Sequence, residues 1–268
     1  MKAPTGDQAY TLVSLVNRED APVQLSPFVW KTIIELRYLG VNYKEDPRTF
    51  DGIRTDLAKE LGDEKILVPV LKDAEGEWLK DSFEIALYLD RTHALPKGKS
   101  LFLHGVGGRE FCRFVNFWAD TVLAPDLGAI VRPRTCASIP PDSASYDYFA
   151  RSRFSNADGA SKALADSHDP EISSARFASA RKSLGLINNM LKYQASQGKK
   201  FIGGDFSHAD AAVFGWYMWS TQFAPESREK VWETEEAGGE AVKTWVGEMK
   251  GLPGWQEGEF EHIEAAQK

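Results

Sequence analysis

Residues 24–43 read Gln-Leu-Ser-Pro-Phe-Val-Trp-Lys-Thr-Ile-Ile-Glu-Leu-Arg-Tyr-Leu-Gly-Val-Asn-Tyr. The Ser26-Pro27 pair at its head decides how the N-terminal part folds. Proline suits the first position of a helix, because its missing N–H has no partner there and its φ is already helical. Ser26 is then the N-cap. Phe28, Val29, Ile33, Ile34, Leu36 and Leu39 follow at helical spacing, and Gly40 ends the run. Just upstream, residues 10–16 (YTLVSLV) are apolar and β-branched enough for a buried strand. The chain therefore opens strand, then helix.

Working outward, VNYKEDP predicts a second strand and GIRTDLAKELG a short helix. ILVPVLKD predicts a strand with Pro69 inside it. GEWLKD is its hairpin partner, with Glu75-Gly76 in the turn, and DSFEIALYLDRT is a helix. This β-α-β-α-β-β-α order over residues 1–92 describes an α/β domain: a small mixed sheet with helices on its faces. A Pro/Gly/Lys-rich linker is placed at 93–105. Helical patterns at 108–123, 142–164, 170–197, 207–221 and 237–250 predict an all-α domain over 106–268.

Composition narrows the function. The 268 residues are 43% hydrophobic and 26% charged, as expected of a soluble globular protein, with net charge −7. No cluster of Lys and Arg stands out, so nucleic acid and anionic membrane are not expected partners. The first twenty residues are too polar for a signal segment, and the longest uncharged stretch, after Asp210, is broken by polar residues and too short to span a bilayer. Cys112 and Cys136 form no CxxC, and His93, His104, His168, His208 and His262 are dispersed, so no metal site is expected. A cytoplasmic location with two incidental thiols follows as the simplest expectation.

Several short stretches carry chemistry. Ser26 at a helix start has two readings. It caps the helix, or its hydroxyl also donates to a thiolate held where free N–H groups favour an anion. Each tenfold gain in thiolate needs about 1.4 kcal/mol, within reach of one charge-assisted hydrogen bond. Pro69 cannot donate to a sheet ladder. It requires an edge strand or a cis Val68-Pro69 bond, which would turn the Val68 backbone toward an extended peptide. Asp81 with Glu84 is a variant capping box. Alternatively, Asp81 and Ser82 hold the ammonium and carboxylate of an α-amino acid. Ser207 and Asp210 form a structural capping box. Phe111, Phe114, Val115 and Trp118 fall at i, i+3, i+4 and i+7, a packing stripe. Residues from Trp118 to Val122, with Phe28, are candidates for lining a cleft between the domains.

These features, in this order, resemble the soluble glutathione transferases, across nearly the whole chain. The N-terminal part looks like their thioredoxin-like domain and the C-terminal part like their helical domain. SPFVWKTIIELRYLGV, VPVLKD and WLKDSFEIALYLD are most similar to the bacterial β-etherases and the related fungal class A transferases. The resemblance implies glutathione as cosubstrate, with no metal, and a homodimer. It implies Ser26 as the thiol-activating hydroxyl and Val68, before Pro69, on the cysteinyl backbone. Asp81 and Ser82 would take the γ-glutamyl end, and Lys65 the glycyl carboxylate. Two departures stand. Gln24 occupies the position where some bacterial members carry a second hydroxyl, and 124–180, which contributes to the substrate pocket in the family, matches no motif of it. The implied reaction is thiolate attack on an aromatic electrophile, cleaving a β-aryl ether of lignin-derived compounds. The competing readings are a non-catalytic, ligandin-type binder of hydrophobic aromatics and a general detoxifying transferase or peroxidase.

Overall fold

Strand β1 (Tyr10–Leu15) is buried almost throughout, because it lies inside the sheet. The computed structural model describes residues 10–236 and 239–255. Residues 1–9 and His262 lie outside that range. β1 pairs in parallel with β2 (Tyr43–Arg48), from Tyr10 opposite Tyr43 to Leu15 opposite Arg48. A parallel pair needs a crossover, and α1 (Pro27–Leu39) supplies it. On its other side β1 pairs antiparallel with β3 (Val70–Lys72), which pairs antiparallel with β4 (Trp78–Lys80), giving the order β2-β1-β3-β4. The sheet is mixed, as its sequence pattern predicts.

The predicted strand over 66–73 is shorter than its apolar run. The Val68–Pro69 peptide is cis, and the strand begins only at Val70. β3 lies between β1 and β4, so the edge-strand alternative for Pro69 does not hold. Gly40 closes α1 in the left-handed region at φ 63°, where glycine carries no Cβ penalty, and its N–H reaches back to the Arg37 and Leu36 carbonyls. The short helical stretch after β2 comprises α2 (Phe50–Gly52), a π-helical turn (Ile53–Leu57) and α3 (Ala58–Leu61). Helix α4 (Ser82–Leu89) packs beside α1.

The helical part departs from the sequence pattern in two places. The helix predicted to stop at 123 continues: α5 (Gly108–Trp118), a π-helical turn (Ala119–Leu123) and α6 (Ala124–Ala137) run on without a break. Pro125 suggests an end, but it falls in the first turn of α6, directly after the π turn, where a missing N–H is tolerated. By length and composition this run could cross a membrane, yet more than half of its most apolar window is buried in the fold. The helix predicted over 142–164 is instead two, α7 (Ala144–Phe154) and α8 (Ala157–His168). Ser155 takes φ 72°, and Asn156 caps α8 by accepting from Gly159 N–H at 2.8 Å. Helices α9 (Pro170–Ser196), α10 (His208–Phe223) and α11 (Glu240–Lys250) follow their patterns. The predicted start of the last, at 237, lies outside the described residues.

All 16 residues of α10 are buried. Apolar residues accordingly occur on every side of it, and its buried polar residues cluster at its two ends. It packs on α1, and Gly215 makes the approach possible: a Cβ there would stand 2.5 Å from the Pro27 carbonyl oxygen. The Ser207–Asp210 capping box is present, with Asp210 also accepting from Ile202 N–H and Trp245 Nε1–H, both at 2.9 Å.

Candidate functional site

Ser26 sits where β1 hands over to α1. It is 5% exposed, and its Oγ accepts from Val29 N–H at 3.3 Å, the N-cap bond its sequence position predicts. That bond uses a lone pair and leaves the hydroxyl proton free to donate. The Gln24 side chain holds the turn from below, accepting Ser26 N–H at 2.9 Å, while the Gln24 carbonyl accepts from Gln222 of α10 at 2.9 Å. The serine is therefore positioned by both parts of the chain. It opens onto a cavity of about 800 Å³ between them.

One wall of the cavity is polar and comes from the first 92 residues. Ser26, Lys65, Val68, Pro69, Asp81 and Ser82 all line it. Among the described residues, neither the N–H nor the C=O of Val68 takes part in a hydrogen bond, and the Ser82 hydroxyl has no partner. Asp81 adopts φ 71°, an unusual conformation for a non-glycine residue, and its Oδ1 caps α4 by accepting from Phe83 N–H at 2.9 Å and Glu84 N–H at 3.3 Å. The capping box read from the sequence is only half built, since Glu84 faces Arg113 at 3.8 Å instead of returning to Asp81. Sequence reasoning missed Arg54, whose Nη1–H donates to the Ile66 carbonyl at 2.9 Å. Lys65 and Lys80 line the same wall, Lys80 paired with Asp63 at 2.9 Å.

The opposite wall is aromatic. Phe28 meets Trp216 edge-to-face at 5.6 Å, and Trp216 meets Trp219 at 5.4 Å. Phe50 packs on Phe149 at 5.2 Å, bringing α7 over the site. Trp118 and Val122, predicted to line the cleft, do not: Trp118 is buried elsewhere at 8% exposure and Val122 faces outward at 45%. The cavity instead receives Asp120 and Ala124. Residues two apart on a helix point in nearly opposite directions, whereas i and i+4 share a face, so a wall that takes Asp120 excludes both neighbours. The predicted stripe also divides: Val115 is buried at 1% while Phe114 is 59% exposed. The face pointing inward carries Cys112, Val115, Asn116 and Ala119. The spacing 120, 124, 128, 132 and the i, i+3 pair Trp216–Trp219 were the available signals for this wall.

Behind the cavity a buried polar network ties the two parts together. Lys31, wholly buried in α1, donates to Asp120 Oδ1 and Oδ2 at 2.8 and 3.0 Å and to Asn116 Oδ1 at 2.9 Å. Asn116 Nδ2–H and Trp216 Nε1–H donate to the same Asp120 carboxylate at 3.0 and 3.1 Å. One turn along α1, Glu35 Oε1 accepts from His208 Nδ1 at 2.6 Å. Burial pushes the Lys31 ammonium down and the Glu35 carboxyl up, opposed respectively by Asp120 and His208. No thiol of the chain belongs to the site. Cys112 and Cys136 are buried, and burial pushes both up to about 11. Among the described residues, no group of three or more His, Cys, Asp or Glu is placed to hold a metal ion.

The site thus has a hydroxyl at a helix N-terminus, an unpaired backbone segment before a cis-proline, a second helix start with a free hydroxyl, and an aromatic wall. Comparison with known proteins gives the family of the chain. Residues 25–92 match the model of the glutathione S-transferase N-terminal domain, and residues 111–252 match that of the C-terminal domain. Among solved structures, a glutathione S-transferase of Ceriporiopsis subvermispora in complex with glutathione is 23% identical, with TM-score 0.69 over 96% of this chain and 98% of that one. A second from the same fungus, also in complex with glutathione, is 19% identical, with TM-score 0.71 over 91% and 98%. Glutathione transferase GSTFuA3 from Phanerochaete chrysosporium is 18% identical, with TM-score 0.70 over 91% and 96%. At these identities the structures speak for the fold, while the two domain models, the second spanning more than half of the 268 residues, carry the family assignment. This chain belongs to the glutathione S-transferase family.

Proposed function

We propose that this glutathione transferase cleaves the β-aryl ether bond of lignin-derived aromatic ketones. Glutathione lies along the polar wall. Its γ-glutamyl carboxylate meets the Ser82 hydroxyl and the α4 N-terminus, its ammonium meets Asp81, its cysteinyl backbone pairs with Val68, and its glycyl carboxylate meets Lys65. The thiol then faces Ser26, where the hydroxyl and the first turn of α1 stabilise the thiolate. The thiolate attacks the carbon that bears the phenoxy group. A C–S bond forms, the C–O bond breaks, and the phenolate leaves and takes a proton from water. The adjacent carbonyl raises the electrophilicity of that carbon. Holding both reactants in one cavity supplies much of the rate. The nucleophile belongs to the cosubstrate, so no protein cysteine is needed.

The observation that supports this reading best is the convergence of Ser26 and the aromatic wall on one cavity. The test is glutathione-dependent release of a fluorescent phenol from a β-aryl ether ketone, by wild type and Ser26→Ala. The expected result is release by wild type and loss of most of it in the variant. Binding of glutathione by both proteins without phenol release would move a ligandin-type binder ahead. Turnover of isothiocyanates or hydroperoxides, but not ethers, would favour a general detoxifying enzyme. The reading includes a homodimer, and elution at the monomer mass in gel filtration would overturn that part.

A further inference from the structure

The aromatic end of the cavity contains two cations that the proposed reaction does not use. Arg132 of α6 and Arg153 of α7 both line it, together with Tyr148, Phe149, Trp216 and Trp219. Among the described residues, no hydrogen bond or ion pair engages either guanidinium. Arg132 is only partly exposed. Burial pulls its pKa down, and the charge of Arg153 pulls it the same way. Of the carboxylates that line the cavity, Asp63 pairs with Lys80 at 2.9 Å, Asp81 caps α4, and Asp120 is engaged by Lys31. Both Asp120 oxygens accept from Lys31, and they also accept from Asn116 and Trp216.

The position of Arg132 is built into the helix. Asp120, Ala124, Gly128 and Arg132 fall at intervals of four along one face. The guanidinium folds back over Gly128, where a Cβ would stand 2.6 Å from its central carbon. The bare backbone of that turn therefore leaves room for the charge to lie against the cavity wall. Arg132 is thus a partly desolvated cation at the aromatic end of the cavity, with the exposed Arg153 as a like-charged neighbour, and such a charge is costly without a counter-charge. A guanidinium fork matches a carboxylate or sulfonate in two parallel hydrogen bonds.

We propose that the electrophile subsite is specific for an aromatic compound bearing a carboxylate or sulfonate, bound by Arg132 and Arg153. The inference deepens the transferase reading and rests on it for the use of the site, though not for the site's existence. The Arg132–Arg153 pair thus sets which aromatic substrates enter, while Ser26 acts on the thiol.

The test compares S-(4-carboxybenzyl)glutathione with S-benzylglutathione by calorimetry, and 2-naphthoate with its methyl ester by quenching of tryptophan fluorescence. Wild type should bind each anionic probe about tenfold or more tightly than its neutral partner, the gain of one charge-assisted bond. Arg132→Gln and Arg153→Gln should each reduce that ratio, and the double variant should abolish it with glutathione affinity unchanged. Gly128→Ala keeps both charges but displaces Arg132, and it should reduce the ratio as well. Equal binding of anionic and neutral probes by wild type would overturn the proposal. So would a double variant that keeps the preference, or one that loses glutathione itself by the same factor, which would assign the arginines to the cosubstrate. If 2-naphthoate binds in an arginine-dependent way while neither glutathione conjugate binds, the anion site stands and the glutathione reading fails.

Discussion

Replacing Lys31 by Met tests whether the buried network holds the two parts of the chain together. The ammonium is wholly buried, within 3.0 Å of both Asp120 oxygens and 2.9 Å from Asn116, and it lies 4.7 Å above the Phe28 ring. Removing one partner of a buried pair costs about 3–5 kcal/mol, because the other charge is left uncompensated. Here the lower end applies. The Asp120 side chain is 20% exposed and keeps its bonds from Asn116 and Trp216. The expected loss is therefore about 3 kcal/mol in a urea titration, or a fall in melting temperature on the order of 6–10 °C. The double variant Lys31→Met, Asp120→Asn removes both charges and should recover most of that loss, giving a coupling of about 2 kcal/mol in the double-mutant cycle. A loss under about 1 kcal/mol for Lys31→Met, or a double variant as unstable as the sum of the single ones, would refute the argument.

The remaining predictions concern other parts of the fold. Cys112 and Cys136, each pushed up to about 11 by burial, should resist a thiol reagent at neutral pH in the native protein and both react after denaturation; fast labelling of either would show that its burial is not maintained in solution. The Asp210 carboxyl is raised from 3.8 to about 6, chiefly by burial. A carboxyl with a raised folded pKa disfavours folding progressively as pH climbs from its unfolded to its folded value, so wild type should lose about 2–3 kcal/mol relative to Asp210→Asn between roughly pH 4 and pH 7. A pH-independent difference between the two proteins in denaturant titrations would contradict that sign. Gly215→Ala places a methyl 2.5 Å from the Pro27 carbonyl. It should cost about 1–3 kcal/mol by overpacking and weaken glutathione binding by moving the start of α1; unchanged melting and affinity would mean that α10 can retreat freely.

The polar wall was the more legible half of the site. Ser26, Pro69 and Asp81 each announce themselves within a few residues, because a helix start or a proline before a strand is a local matter of which N–H groups lack partners. The aromatic wall was not legible in the same way. Trp118 and Val122 have suitable chemistry, but nothing in their own stretch says which face of the helix turns inward. That depends on α5 packing against α10, far along the chain. Arg132, Tyr148, Phe149 and Arg153 come from the region that the family motifs do not cover, and there a proline near a helix start and the Ser155–Asn156 break also misled the helix boundaries.

The sequence alone determined the succession of elements through residue 92, the caps at Ser26, Asp81 and Ser207, the mixed sheet, and the serine at the head of α1. These follow from interactions between residues close in the chain, whose periodicity and capping chemistry can be read in order. Only the tertiary structure decided that β3 is an inner strand, that Asp120 rather than its neighbours faces the cavity, and that Lys31 is neutralised from the π-helical turn after α5. It alone brought Arg132 and Arg153 into one cavity with Trp216 and Trp219. Each of those depends on which faces pack together across long sequence separations, and hydrophobic burial fixes that choice only when the whole core assembles.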